Sequence, residues 1–348
     1  MATPLITASI RRQVMLERLK SGEVKRLDKF LRQADKLLRE RIGATDFQRR
    51  RIERQLAAIG SDLNAIWAEF QTDLFSGLDD IADSELRAEV RALGTVVEAA
   101  VAAPSQAAAA ALAQPLSARG YGGGKLLKSF VADWSARTTT RVTDVIRQGF
   151  FEGRTNAQIL QSIRGTKANN YADGLLNVIS GGERALVRTA VQHMASQVRE
   201  QVWAENADII KAVRWVSTLD DRVCLQCAAL DGQEFPVGEG PRPELHVADR
   251  CTVTPVLDDE FAGLRQGAKR SSVEGAVDAD LSYYEWLKRQ PQGFQDVAIG
   301  PQRAQLLRDG GLSATRFREL SLNRNFEPMT LAEMQKAEPL AFDRAGLD

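Results

Sequence analysis

VKRLDKFLRQADKLL at 24–38 and IERQLAAIGSDLNAIWAEF at 52–70 decide the fold class of this 348-residue chain. In the first stretch Val24, Leu27, Leu31, Ala34 and Leu38 recur at alternating steps of three and four residues, and in the second Ile52, Leu56, Ile59, Leu63, Ile66 and Phe70 do the same. Such spacing lays apolar side chains along one stripe of a helix and keeps that stripe against a neighbouring helix. Between the two, Gly43 suits a C-terminal stop, and Thr45 with Gln48 forms a capping-box pattern that restarts the helix. Residues 1–98 therefore read as a coiled-coil-like helical hairpin, an arm expected to project.

Beyond the hairpin the chain changes character several times. Residues 99–125 hold an Ala-rich run interrupted by Pro104, then Pro115 and Gly120-Tyr121-Gly122-Gly123-Gly124, a composition expected of a hinge. The spacing from Gly120 to Gly124 before Lys125 is one residue short of a phosphate-binding loop, and Leu126 stands where a magnesium-holding Ser or Thr would be needed. A second helical block runs from 126 to 206, with Phe130, Trp134, Val142, Val145 and Ile146 on its apolar face. Thr155 with Gln158 and Ser180 with Glu183 are further capping-box patterns, the second expected to open a long helix through Leu186, Ala190, Met194 and Val198. His193 on that helix reads as a structural histidine.

Residues 213–216 read as a short strand leading into the cysteines, so a small α+β unit is expected inside 126–257. The remainder, 258–348, is charged and loop-rich as far as Val277 and then gives short helices, announced by Ser282 with Glu285, Pro301 at a first turn, and Thr330 with Glu333. The expected fold class is mainly α, with a long N-terminal helical hairpin, a helical block, a small α+β zinc-knuckle unit and a loop-rich C-terminal tail.

Forty-six basic and 46 acidic side chains cancel, which excludes a global field of the kind that marks general nucleic-acid or membrane binders. The charge is unevenly placed. Residues 1–60 carry 15 Lys and Arg against seven Asp and Glu, whereas residues 61–100 carry two against nine. No stretch approaches the roughly 20 apolar residues of a membrane span, and Met1-Ala2-Thr3-Pro4 lacks signal-peptide character, so a cytosolic protein is expected. In a reducing compartment the three cysteines read as metal ligands or buried thiols, not disulfides.

All three cysteines and one of the two histidines fall within 28 residues, as Cys224-Leu225-Gln226-Cys227, then His246, then Cys251. Two cysteines two residues apart form a tight knuckle that aims both sulfurs at one ion, and a later His and Cys close a tetrahedron. Zinc suits this mixture of thiolate and imidazole. Leu230-Asp231-Gly232 reads as a turn, and Pro236, Pro241 and Pro243 stiffen the return to His246. A metal would substitute for the apolar core that so short and polar a region lacks. The alternative is three reduced thiols and a histidine packed without metal.

Enzyme templates fit poorly, so no enzymatic activity is expected. A zinc deaminase needs a His-x-Glu pair upstream of its Cys-x-x-Cys, and upstream of Cys224 the chain has only the distant His193. Four good ligands also close a site that a catalytic zinc would keep open. A Ser-His-Asp or Cys-His arrangement needs a free histidine that only His193 supplies. The acidic pairs Asp220-Asp221 and Asp258-Asp259-Glu260 sit beside turns, where carboxylates commonly cap backbone groups.

The string from Arg214 through Asp220-Asp221, Cys224 and Cys227 to Asp231-Gly232 resembles the central motif of the phage head morphogenesis family, the Mu F-like minor head proteins. His246 through Cys251 and Pro255 resemble its second half, Arg188-Thr189 its Arg-Thr helix, and Tyr284-Glu285-Trp286-Leu287-Lys288 with Gly300-Pro301 a tail found in many members. The resemblance spans roughly residues 126 to 340. In one place the chain departs from it: the family often has a His, two residues, then Cys-Arg-Cys, and here Asp249 replaces the first of those cysteines before Arg250 and Cys251. The third corner is thus open between His246 and an oxygen of Asp249, since carboxylates also bind zinc.

The resemblance implies a minor capsid component of a tailed phage virion, assembled in the host cytoplasm, and no enzyme. Its partners would be the portal protein and the major capsid or scaffold protein, and its task head assembly, DNA packaging or ejection. The basic hairpin would suit contact with packaged DNA. A DNA-binding module using Arg49, Arg50, Arg51 and Arg54 is the first rival reading, and a metal-dependent nuclease or cryptic toxin the second.

Overall fold

The computed structural model describes residues 5–98, 100–117, 123–258 and 268–347. It is mainly helical, with small antiparallel sheets. Two long helices, α1 (Leu5–Ala44) and α2 (Ile52–Val97), open the chain. They run antiparallel, since Arg12 meets Glu85, Arg26 meets Asp73 and Arg41 meets Asp62 in ion pairs along their length. At 40 residues, α1 is about 60 Å long. Val24, Leu27, Ala34 and Leu38 share one buried core with Ile52, Leu56, Ile59, Leu63 and Phe70, while Leu31 and Ile66 pack at its edge.

The pair is not the projecting arm expected from sequence. Helices α3 (Ala107–Leu112), α4 (Leu127–Phe151), α5 (Asn156–Arg164) and α6 (Leu175–Glu205) follow, and α4 and α6 pack into the same core through Phe130, Trp134, Val142 and Ile146, and through Leu186, Ala190, Met194 and Val198. The hairpin carries more apolar surface than one seam hides. Trp67 lies 5.5 Å from Trp134 between ring centroids, and Phe70 lies 5.3 Å from the same ring. Even the tip is held, because Phe47 packs against Phe150 and the Asn156 amide donates to Ile42 O at 2.8 Å and Thr45 O at 3.0 Å.

That docking also overrides two local signals. Thr45 does not restart the helix. Its hydroxyl donates back to Arg41 O, and the turn is closed by Gln55, whose amide accepts from Gln48 N at 3.2 Å and donates to Asp46 O at 2.9 Å, so α2 begins only at Ile52. Ser180 with Glu183 lies inside α6, which starts earlier, at Leu175 after Gly174. Burying Ile179 against the hairpin carries the helix back past the capping box. Gly174 permits the close approach, because a Cβ there would sit 2.3 Å from Arg164 C. By contrast, the boxes at Thr155, Ser282 and Thr330 and the proline start at Pro301 form as read.

The expected hinge is docked where it is described. Ala107, Ala111 and Leu116 are buried, Ala102 N donates to Asn206 Oδ1 at 2.9 Å, and Leu116 N bonds to Lys125 O. Gly120-Tyr121-Gly122 lies outside the described residues.

A three-stranded antiparallel sheet follows, ordered β2–β1–β3: β1 (Ile210–Val216) is central, between β2 (Glu234–Phe235) and β3 (Thr252–Leu257), with helix α7 (Leu225–Leu230) between β1 and β2 in sequence. Val213 faces Phe235, and Trp215 faces Val253. The stretch expected to be loop contains a hairpin, β4 (Lys269–Ser272) and β5 (Gly275–Asp278), that joins β1's exit through Leu219 and Ser272. Of Asp258-Asp259-Glu260 only Asp258 is described. Six short helices end the chain: α8 (Tyr283–Leu287), α9 (Gln292–Ile299), α10 (Pro301–Asp309), α11 (Ala314–Ser321), α12 (Leu331–Ala337) and α13 (Pro339–Ala345). Tyr283, Tyr284, Trp286 and Phe317 share a second core with Trp203, Trp215, Cys227 and Leu93. Among the described residues no helix is long and apolar enough to cross a membrane.

One carboxylate is out of balance with this packing. Glu183 is 1% exposed, and neither of its oxygens has a hydrogen-bond partner. Burial, reinforced by the Asp28 charge, pushes its pKa up to about 8. A carboxyl whose folded pKa lies above its unfolded one favours the fold below the unfolded pKa, and that advantage is lost as pH rises through about 8. Glu183→Met is therefore expected to raise the melting temperature at pH 9 far more than at pH 5; an equal shift at both would mean that the carboxylate has a polar partner in solution.

Candidate metal centre

β1 delivers the chain into the cysteine segment through a set of buried polar contacts. The Trp215 indole donates to Ser217 Oγ at 2.9 Å, and Ser217 Oγ donates to Cys227 O at 2.6 Å. Cys224 is the N-cap of α7, its sulfur accepting from Cys227 N at 3.3 Å, so the two-residue spacing turns both sulfurs to one side. At the end of α7 the fully buried Asp231 accepts from Ser217 N at 2.7 Å and Tyr283 N at 2.7 Å, and takes both ends of the Arg270 guanidinium at 2.9 Å. One carboxylate thus ties β1, α7, β4 and α8 together.

The return segment brings the other donors. Cys224, Cys227 and His246 have ligand atoms within 4.8 Å of one another, and so do Cys227, Asp249 and Cys251, with Cys227 common to both groups. His246 Nε2 is 3.4 Å from Cys227 Sγ. With Nδ1 3.1 Å from Val247 O, Nε2 is the ring nitrogen turned toward the sulfurs. Asp249 is fully buried, one oxygen accepting from Leu245 N at 3.0 Å and the other from Cys251 N at 2.9 Å. Both its oxygens already serve the backbone, which makes it the clamp that shapes residues 245–251 around the sulfurs.

The charges are distributed unequally. Cys224 is drawn down to about 5, first by its hydrogen bond with Cys227 and then, against burial, by His246. His246 is raised to about 9, chiefly through its bond with Cys224. Cys227 moves up, its sulfur shared with Cys224 and Cys251 and then buried. At Cys251 the bond with Cys227 pulls down, but burial and the Asp249 charge outweigh it. The cluster therefore holds a thiolate–imidazolium pair beside two protonated sulfurs, whose protons a bound cation would displace.

Two further contacts frame the cluster. Arg250 forks onto Asp220 at 2.6 and 3.1 Å, so Asp220 is engaged as a structural partner. Burial pushes Asp220 up, but the Arg250 hydrogen bonds bring it below the usual carboxylate range. Lys20, on α1 and 1% exposed, donates to Asp249 O at 2.8 Å and to Gln192 Oε1 at 2.6 Å. His193 is likewise buried, with Nδ1 2.9 Å from Glu244 Oε1 and Nε2 3.3 Å from Ala111 O, so its structural reading matches its surroundings. Sequence reading missed Lys20, Glu244 and the Asp231–Arg270 pair. For Lys20 the signal was present, since Gln13, Leu16, Lys20, Val24 and Leu27 continue the apolar stripe of α1 and place a lysine in the seam.

Lys20→Met leaves Asp249 O without its buried donor, while Gln192 Oε1 keeps the bond from Gln13 Nε2 at 3.0 Å, and is expected to cost roughly 1–3 kcal/mol in urea unfolding. Faster hydrogen exchange at the Leu245 and Cys251 amides should accompany it. Unchanged exchange there would show that α1 does not support the loop.

Compared with protein-family models, curated proteins and solved structures, the chain matches none of them.

Proposed function

We propose that this chain is a zinc-stapled structural protein of a tailed-phage head, a minor capsid component that associates with the portal vertex during head assembly, DNA packaging or ejection. The observation that carries this reading is the convergence of Cys224, Cys227, His246 and Cys251 within the segment whose sequence resembles the head morphogenesis motif. The donor set fits zinc: three sulfurs and one imidazole nitrogen, with Asp249 committed to backbone N–H groups and so left to orient the loop. A bound zinc would be held by Cys224, Cys227, His246 and Cys251 and would cross-link α7 to the return segment. The protein supplies the frame, through Asp231, Arg270, Asp249 and Lys20. No catalytic step is assigned to the centre, because a closed four-ligand set has no position for substrate.

Purified protein is expected to hold close to one zinc per chain, to lose it in a Cys224→Ser, Cys227→Ser double variant, and to melt at lower temperature after chelation. Metal-free protein with the same melting temperature would overturn the zinc assignment. Co-purification with the cognate portal protein tests the assembly role. Full-length chain is the right bait, since α1 and α2 share a core with α4 and α6 and a fragment starting at residue 126 would expose it.

A second reading has a specific observation behind it. Most basic side chains along the hairpin are paired, including Arg12, Arg26, Lys29, Arg39 and Arg41, whereas Arg49, Arg50, Arg51 and Arg54 at the tip are exposed and have no ion-pair partner among the described residues. Arg11, Arg18 and Lys25 farther along α1 are also exposed and without an ion pair among the described residues, but the tip alone gathers four such arginines within six residues, a footprint suited to phosphate contact. Duplex DNA binding should then fall steeply with salt, and changing the four arginines to Gln should flatten the slope by about 0.9 for each phosphate no longer neutralised. Absence of binding at low salt removes this reading, and degradation of the DNA with added zinc, magnesium or manganese would favour a nuclease.

A further inference from the structure

The three sulfurs of the cysteine cluster differ in access. All are free thiols, but Cys227 is fully buried and Cys251 is 3% exposed, whereas Cys224 is partly exposed. A small oxidant in solution therefore meets Cys224 first, and the buried thiols behind it are shielded from direct attack. Position adds to this order. Cys224 is the N-cap of α7 with its sulfur 3.3 Å from Cys227 N, and Cys227 is the residue common to both groups of converging donors.

Cys227 has a sulfur neighbour on either side. Cys224 stands three residues before it at the start of the same helix, and side chains three apart on one turn sit roughly 5–6 Å apart, within the span that a disulfide bridges without moving the backbone. Cys251 comes from the other direction, at the entry to β3, with its N–H held by the buried Asp249 at 2.9 Å. Since neither Cys227 nor Cys251 opens its sulfur to solvent, a bond between those two has no starting point.

We propose that Cys224 and Cys227 form an oxidisable pair, in which Cys224 reacts with a hydroperoxide and Cys227 closes a disulfide onto it, withdrawing two of the four donors from the metal centre. In the first step the Cys224 sulfur attacks a peroxide oxygen, an S–O bond forms, the O–O bond breaks, and the leaving oxygen takes the thiol proton and departs as an alcohol, or as water from hydrogen peroxide. In the second the Cys227 sulfur attacks Cys224, the S–S bond forms, the S–O bond breaks, and hydroxide leaves with the Cys227 proton as water. The two sulfurs supply the two electrons that reduce the peroxide. His246 and Cys251 alone cannot close a tetrahedron, so the disulfide and the metal exclude each other. Release of metal rests on the zinc reading above; the pairing of the two sulfurs does not.

The test is hydrogen peroxide added to full-length protein that has been reduced and freed of reductant, followed by alkylation, trypsin and mass spectrometry, with released zinc read by a chromogenic chelator. Trypsin cuts after Arg222 and Arg250, so Cys224 and Cys227 share one peptide and Cys251 lies in the next. The first peptide is expected to lose two hydrogens and its alkylation while Cys251 stays alkylated, zinc to appear in step, and dithiothreitol to reverse both. Cys227→Ser should stop the reaction at a Cys224 sulfenic acid that dimedone captures, and Cys224→Ser should slow thiol loss by roughly ten-fold or more. A disulfide that includes Cys251, or three thiols still alkylated after peroxide, overturns the proposal, and the wild-type protein decides this even if a variant folds poorly. Zinc-loaded protein with unreacted thiols leaves the zinc reading standing and removes this one; a Cys224–Cys227 disulfide in protein that never binds zinc does the reverse.

Discussion

The constraint on which the rest of this structure depends is the burial of α6 on nearly all its faces. From Leu186 to Val198 almost every side chain is inside, including Thr189, Gln192 and His193 beside the apolar ones, and Arg199 follows. A helix buried all round must be surrounded. The hairpin covers it on one side, α3 and α4 on others, and β3 meets its lower end. Several of the polar groups it takes inside find their partners on different elements. Arg199 shares Glu85 with Arg12 and donates to Thr252, the Trp203 indole donates to Glu89, and Gln192 accepts from Lys20. Such buried charge networks add little net stability, but they penalise a misplaced register by several kcal/mol.

The cysteine cluster inherits its geometry from that arrangement. The segment from 236 to 251 has hardly any strand pairing of its own, and the prolines in it remove backbone donors. Buried carboxylates fix its shape instead: Asp231 at the end of α7, Asp249 between His246 and Cys251, and Glu244, which binds His193 of α6 and Ser117 N. Because Lys20 reaches Asp249 O from α1, the seat of the hairpin and the shape of the ligand loop are one packing problem. The C-terminal helices close the other side, where Tyr283 donates its hydroxyl to Asp220 O and its backbone N–H to Asp231.

Legibility in the sequence follows distance along the chain. The helices α1 and α2, the strand β1, the capping boxes at Thr155, Ser282 and Thr330, and the paired sulfurs of Cys224 and Cys227 each depend on residues a few positions apart, so the pattern contains its own cause. The same kind of signal failed at Thr45 and Ser180. At those places a longer-range gain, docking Phe47 on Phe150 and burying Ile179, exceeds the roughly 1 kcal/mol a cap contributes. His246 and Cys251 could be named as ligand candidates from residue type and order. Their meeting with Cys227 rests on a loop whose clamps come from elsewhere.

By itself, then, the sequence determined the helical class, the local starts of several elements, and the cysteine pair, because short-range periodicity and hydrogen bonding decide those. Only the tertiary structure decided that the hairpin lies down against α4 and α6, that Lys20 supports the ligand loop, and that Asp231 gathers four elements. Those contacts join residues such as Lys20 and Asp249, 229 positions apart. No local pattern encodes which distant polar group will meet a buried charge, since that partner is chosen by how the whole apolar surface is packed away.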